Sequence, residues 1–116
     1  MAVLFFLLPL SLSAGTLEKG FEALKVFNYF SAKELFEKSM KHHSAGASYG
    51  LSAIFYREDN PFHNIDSAYK YILLSDKCFK TSEAKEKQTL LQLSINQPAI
   101  DNQKERIIER AFEKAK

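Results

Sequence analysis

A chain of 116 residues has room for one hydrophobic core but not for two independent ones. Its 46% hydrophobic and 26% charged residues are ordinary globular values and exclude wholesale disorder. Sixteen Lys and Arg against fourteen Asp and Glu, unclustered, exclude the basic patch of a nucleic-acid binder, and four Gly with three Pro are too few turn-makers for a many-stranded β-fold.

The first stretch stands apart. Met1–Leu12 (MAVLFFLLPLSL) carries no charge and runs into Ser13, Ala14, Gly15 and Thr16. A short apolar run ending in small residues is what a signal peptidase recognises, with cleavage expected after Ser13 or Gly15. The run falls short of the about 20 apolar residues that span a bilayer, so a permanent anchor is disfavoured. The first charge is Glu18, so the Lys or Arg that normally opens such a signal is missing. Residues 1–15 are expected to be a signal helix and residues 16–116 the mature domain; a buried N-terminal helix is the other reading.

Helical periodicity governs the rest. Leu17, Phe21, Leu24 and Phe27 recur at helical spacing and end at Asn28–Phe30. Ser31, three residues before Glu34, predicts a capping box that opens a second helix, with Ala32, Leu35, Phe36, Ser39 and Met40 on its inner face. A third helix is expected from about Ala45 to Arg57, with Ala47, Leu51, Ile54 and Phe55 on one side. The segment Glu58–Asn64 breaks it, because the residue before Pro61 is pushed out of the helical region. Asn64 or Asp66 can cap a fourth helix with Ala68, Tyr71, Ile72, Ser75 and Phe79 inward. Thr81 or Ser82 is expected to cap a fifth that ends near Leu93. After Asn96–Pro98, Asp101 is expected to open a sixth through Ile107, Ile108, Ala111 and Phe112. The single cysteine, Cys78, cannot form an internal disulfide and reads as a packing thiol rather than a nucleophile.

A step of 36 residues relates these helices: Phe36 pairs with Ile72 and Ile108, and Ser39 with Ser75 and Ala111. A two-helix period of this size marks an α-solenoid, in which each hairpin buries its apolar face against its neighbours. Gly20 to Met40 resembles a tetratricopeptide repeat through Gly20, Ala32, Phe36 and Ser39, with Ala23 where that family carries a large aromatic. Ala47 to Phe55, including Leu51, resembles the longer Sel-one-like variant, with Ser52 where that variant prefers Gly; Ala68, Tyr71 and Ser75 follow its second helix, Tyr71 standing at the usual Trp position. The third unit keeps only the helical pattern. The resemblance implies an all-α fold of antiparallel hairpins stacked as a short right-handed solenoid, with units near 17–43, 44–79 and 81–116. It also implies a protein-binding scaffold similar to the N-terminal part of larger bacterial envelope proteins, and therefore a periplasmic or envelope location. The chain ends in helical phase at Lys116, so further repeats downstream or a second subunit are expected to complete it.

Chemistry is sparse. His42 and His43 are adjacent and do not converge on one ion, and Asp59, His63 and Asp66 read as solvated loop residues, so neither metal nor cofactor is expected. No zinc-protease, hydrolase-elbow or phosphate-loop motif occurs, and the Glu residues lie mostly beside Lys on polar faces. An enzyme is not expected. The partner is expected to be a protein, not a nucleic acid, with a membrane reached only through an uncleaved N-terminus. Tyr56 and Tyr69, with Arg57 and Phe62 alongside, are the candidate contact residues, since Tyr offers a rigid apolar face and a polar tip. The competing readings are an accessory factor acting on cell-wall glycan or peptide and a membrane-tethered regulator.

Overall fold

The apolar spacing resolves into six α-helices in the computed structural model, which describes residues 15–115: α1 Gly15–Lys25, α2 Tyr29–Ser39, α3 Ser44–Tyr56, α4 Ile65–Thr81, α5 Ala84–Gln92 and α6 Gln97–Ala115. No strand occurs among the described residues, so the fold is all-α. Apart from Gly15, the expected export signal lies outside the described residues. No described helix is long and apolar enough to cross a membrane.

Several helix ends differ from expectation, each for a local reason. The second helix starts at Tyr29, because the Asn28 side chain accepts the Ser31 backbone N–H at 3.3 Å and serves as the cap. The expected Ser31–Glu34 box does not form, and Glu34 instead receives the Lys38 ammonium at 3.3 Å. Asn64 caps α4 as expected, accepting from Ser67 N–H at 3.0 Å. Thr81 and Ser82 end α4 rather than open α5: both hydroxyls donate to the Cys78 carbonyl, at 3.3 and 2.6 Å, and α5 begins after Glu83 without a side-chain cap. The sixth helix starts four residues before Asp101. There Asn96 accepts the Ala99 N–H at 2.9 Å, and Pro98 sits in the first turn, where its missing N–H costs nothing.

Two stops use backbone geometry that no glycine announces. Phe27 and Ser94 both have φ of 62°. At each, paired backbone bonds close the preceding helix: Phe27 N–H to Leu24 O with Asn28 N–H to Ala23 O, and Ser94 N–H to Leu91 O with Ile95 N–H to Leu90 O. After the second stop, buried Ile95 packs in the same core as buried Leu90.

One contiguous core runs through the molecule. Helix α1 packs on α2, α2 on α3, and α3 most extensively on α4; α6 lies against α4 and α3, while α5 has no comparable helix face against it. Directions follow from the contacts. Leu17 and Leu24 of α1 lie by Gly46 and Arg57 of α3, and in α6 the Arg106 charge acts on Tyr49 while Arg110, one turn on, sits over Tyr56, so α1, α3 and α6 run the same way. Helix α4 runs opposite: Ser75, late in α4, donates its hydroxyl to the Ala45 carbonyl, early in α3, at 2.8 Å.

The closest packing surrounds Phe36. A Cβ added to Gly20 would stand 2.7 Å from its ring, and one added to Gly50 closer still. Bare backbone on α1 and α3 therefore clasps a fully buried aromatic from α2. Gly46 likewise admits Leu17 and Leu90 together, which anchors the short α5 beside the start of α3.

Candidate functional site

An open cleft of about 680 Å³ has α3 as its floor and the parallel helices α1 and α6 as its walls. Helical spacing sets the floor, because Tyr49, Ala53 and Tyr56 recur every three or four residues and share one side of α3. Glu18, Glu22 and Lys25 line the α1 wall, whose Phe21 ring reaches to the floor beside Tyr49, and Gln103 and Arg106 line the α6 wall. The last residue of α5, Gln92, and the turn after it, Leu93 and Ser94, close one end, and Arg57 stands at the other.

Aromatic contacts hold the floor in shape. Phe21 meets the Phe36 ring edge-on at 4.8 Å and lies 6.5 Å from Tyr49, so the cleft floor rests directly on the clasped core ring. Burial pushes the Tyr49 hydroxyl up from its ordinary pKa, and the positive charge of Arg106 partly offsets this. The acidic groups Glu18 and Glu22 occupy one wall and the cation Arg106 the other, all exposed. Glu22 is loosely paired with Lys25 at 3.8 Å. The cleft thus presents an apolar, hydroxyl-bearing floor between walls of opposite sign.

The cationic end is braced. Arg57 Nη1 donates to the Leu24 carbonyl at 3.5 Å, and Tyr29 donates its hydroxyl to Asp59 at 2.8 Å. Burial raises the Tyr29 pKa, and the bond to Asp59 adds to the rise. Asn60 donates to the Ile54 and Arg57 carbonyls at 3.0 and 2.9 Å and accepts the Phe62 N–H at 2.8 Å, fixing the loop that leaves α3. Arg110 stacks its guanidinium 5.9 Å from the Tyr56 ring centre and pairs with Glu58.

The four residues singled out from sequence divide between surfaces. Tyr56 and Arg57 line the cleft. Phe62 meets Phe30 edge-on at 4.9 Å with the Lys33 ammonium over its ring at 5.2 Å, on the flank of α2. Tyr69 is 40% exposed on α4. Among the residues expected to pack the units, Gly20, Ala32, Phe36, Ser39, Ala47, Leu51, Ala68, Ile72 and Ser75 are buried. Phe55 and Tyr71 are half-buried and stack face to face, 5.6 Å apart with an 8° tilt, between α3 and α4. On α6 Ile107 takes the fully buried place, leaving Ile108 and Ala111 half-buried, one position out of step with the 36-residue pairing.

A second, shallower hollow of about 410 Å³ brings together His42, Cys78, Thr81, Ser82 and Glu86. Beside it His43 Nδ1 lies 2.9 Å from Glu86, which ties the start of α3 to α5. The Cys78 thiol packs against the core cluster. No group of three or more His, Cys, Asp or Glu side chains is placed to hold a metal ion among the described residues.

Arg106, Gln103 and the α1 wall are cleft residues that the sequence pattern does not mark as contacts. Arg106 follows Gln103 by three residues, so both face the same side of α6, but only the packing of α6 onto α3 brings them opposite Tyr49. Gln103 is 5% exposed, and a polar residue standing at the core spacing between Ile100 and Ile107 is the one signal the sequence carries for it. Comparison with protein-family models, with curated proteins and with solved structures returned no match.

Proposed function

We propose that this chain is a protein-binding module without catalysis of its own, and that the cleft between α1, α3 and α6 receives a short peptide segment of its partner. The carrying observation is the lining: Phe21, Tyr49 and Tyr56 give a rigid apolar floor with two hydroxyls, flanked by Glu18 and Glu22 on one wall and Arg106 on the other. A volume of about 680 Å³ suits several side chains of a peptide. The preferred ligand presents an apolar side chain to the floor, a basic group toward α1 and an acidic group toward α6, so that each wall meets its opposite charge.

The packing order supports reading the chain as a short helical-repeat scaffold. The pairs α1–α2 and α3–α4 form successive antiparallel hairpins, and α6 joins α3 and α4 as the first helix of a further hairpin would. In that reading α5 is an insertion rather than half of the third unit, and the cleft is the concave side of the array. The charge-free run Met1–Leu12 supports export, with the bacterial envelope as the place of action.

The test is direct. Fluorescence anisotropy against a set of short labelled peptides should find binders enriched in the stated charge order. Tyr56→Ala combined with Arg106→Ala should weaken the best of them at least tenfold while far-UV circular dichroism stays unchanged. Unchanged affinity in that folded variant would remove the cleft from the proposal.

A further inference from the structure

A second surface lies on the other side of α6, away from the cleft. Asp76 of α4 ties the two helices together: its carboxylate accepts Gln97 at 2.7 Å and Lys104 at 3.2 Å. Successive turns of α4 back from Asp76 bring Leu73 and Tyr69 to the same side, and successive turns of α6 on from Lys104 bring Ile108 and Phe112. The two helices run in opposite directions, so at about 1.5 Å per residue Tyr69 and Ile108 fall at one level. Tyr69 is 40% exposed, Leu73 39% and Phe112 68%. An apolar seam therefore runs between α4 and α6 from the Asp76 tie toward the Phe112 end.

The shoulders of this seam carry opposite charges. Lys70 and Lys77 stand on the outer side of α4, with Asp66 one turn before Lys70 leaving that shoulder net basic, and Glu105 and Glu109 stand on the outer side of α6, all exposed. Among the described residues none of these lysines and glutamates enters an ion pair, unlike the neighbouring Lys80 and Lys104, which both reach Asp76. The helical register sets Lys70 at the level of Glu105 and Glu109.

This layout is self-complementary in one orientation. A two-fold axis running along the seam lays apolar floor on apolar floor. It also sets the lysine shoulder of each copy against the glutamate shoulder of the other at the same level. A two-fold axis across the seam would set lysine on lysine and glutamate on glutamate, which is repulsive. We propose that two copies of this chain associate through the α4–α6 seam about a two-fold axis parallel to these helices. The peptide cleft lies on the far side of α6 and stays open in both copies.

Sedimentation equilibrium on the full chain tests this. The wild-type chain should sediment as a dimer. Lys70→Glu with Lys77→Glu makes both shoulders acidic, and Glu105→Lys with Glu109→Lys makes both basic; each double variant should raise the dimer dissociation constant at least tenfold with helicity unchanged. Mixed in equal amounts, the two variants should form a one-to-one heterodimer, because each shoulder then meets its opposite. The chain carrying all four reversals should dimerise again. A wild-type monomer at the highest soluble concentration, as expected if a further helix of a longer chain covers the seam, would overturn the proposal. So would double variants that dimerise like wild type, or a mixture that does not pair.

Discussion

The two ends of the molecule hold their helices by different means. At the amino-terminal end, α1, α2 and α3 are interlocked: one aromatic ring, Phe36, sits between the bare backbones of Gly20 and Gly50. At the carboxy-terminal end, α6 is joined to α4 by Ile100 and Ile107 within the core and by one carboxylate, Asp76, with three polar partners around it. The first arrangement depends on shape and tolerates almost no change of volume. The second adds charge and hydrogen bonding to its apolar contacts, and that part pH and salt can weaken. The cleft spans both, with α1 as one wall and α6 as the other, so its width is set by a rigid side and a more yielding one.

The largest expected effect comes from emptying the clasp. Phe36→Ala should cost about 3–5 kcal/mol in urea unfolding, since the ring is fully buried and the glycines on either side cannot fill the hole. Because Phe21 rests on that ring, the cleft floor should loosen with it. A loss below about 1 kcal/mol would show that the three helices do not depend on the ring, and the contrast between the ends would fail.

Next comes the carboxylate tie. Asp76→Ala removes bonds to Gln97, Lys80 and Lys104 and should cost about 1.5–3 kcal/mol. Hydrogen exchange should then speed along α6 while α1 to α3 stay protected, which distinguishes this from a general loss of stability. The pH dependence has a definite sign. The Gln97 bond first, and the Lys104 and Lys80 bonds after it, hold the Asp76 pKa below its ordinary 3.8, against the opposing effect of burial. The stabilisation is therefore fully present above that ordinary value and is lost as pH falls through the lower folded value. Acid titration of the wild type should release α6 first, and the Asp76→Ala chain should lack that step.

Much of the helical architecture could be read from residue spacing, because an apolar stripe every three or four residues, as in buried Ala47, Leu51 and Ile54 of α3, persists whatever the caps do. The ends were less legible. Thr81 and Ser82 have the right chemistry for a cap, but their hydroxyls bond back to Cys78 and finish α4 instead. Asn96–Pro98 reads as a break, yet Gln97 is the first residue of α6, just after the Asn96 cap, and Pro98 sits in its first turn, where a proline is tolerated. Of the candidate cleft, only Tyr56 and Arg57 could be anticipated as contact residues. Tyr56 and Arg57 were visible as an aromatic and a cation at the end of α3, whereas Arg106 lies some fifty residues further on and joins them only through tertiary packing.

A smaller test sharpens the shape argument. Gly50→Ala adds one methyl group against the Phe36 ring, where a Cβ has no room, and should cost about 1–3 kcal/mol, less the roughly 1 kcal/mol that alanine gains over glycine in a helix. Gly46→Ala is the matched control. There the obstacles are the ends of the Leu17 and Leu90 side chains, which can rotate away, so thermal unfolding should fall less than for Gly50→Ala. Equal losses at the two positions would mean that ring clasping has no special role.

The smallest expected effect has the opposite sign. Phe27 sits at φ 62°, a conformation that costs a side chain about 1 kcal/mol, and it is 64% exposed, so its ring gains little from burial in return. Phe27→Gly relieves the backbone and keeps both closing bonds of α1, to Leu24 O and Ala23 O, which are made by main-chain groups. Glycine's greater freedom in the unfolded chain takes back part of the gain. The net expectation is a stabilisation of about 0.5 kcal/mol, read as a higher urea midpoint with an unchanged slope. A loss of stability instead would mean that the tilted contact with Tyr29, 6.4 Å between ring centres, holds the amino-terminal clasp together more than the strained turn weakens it. The rigid end of the molecule would then extend one turn further than its buried residues indicate.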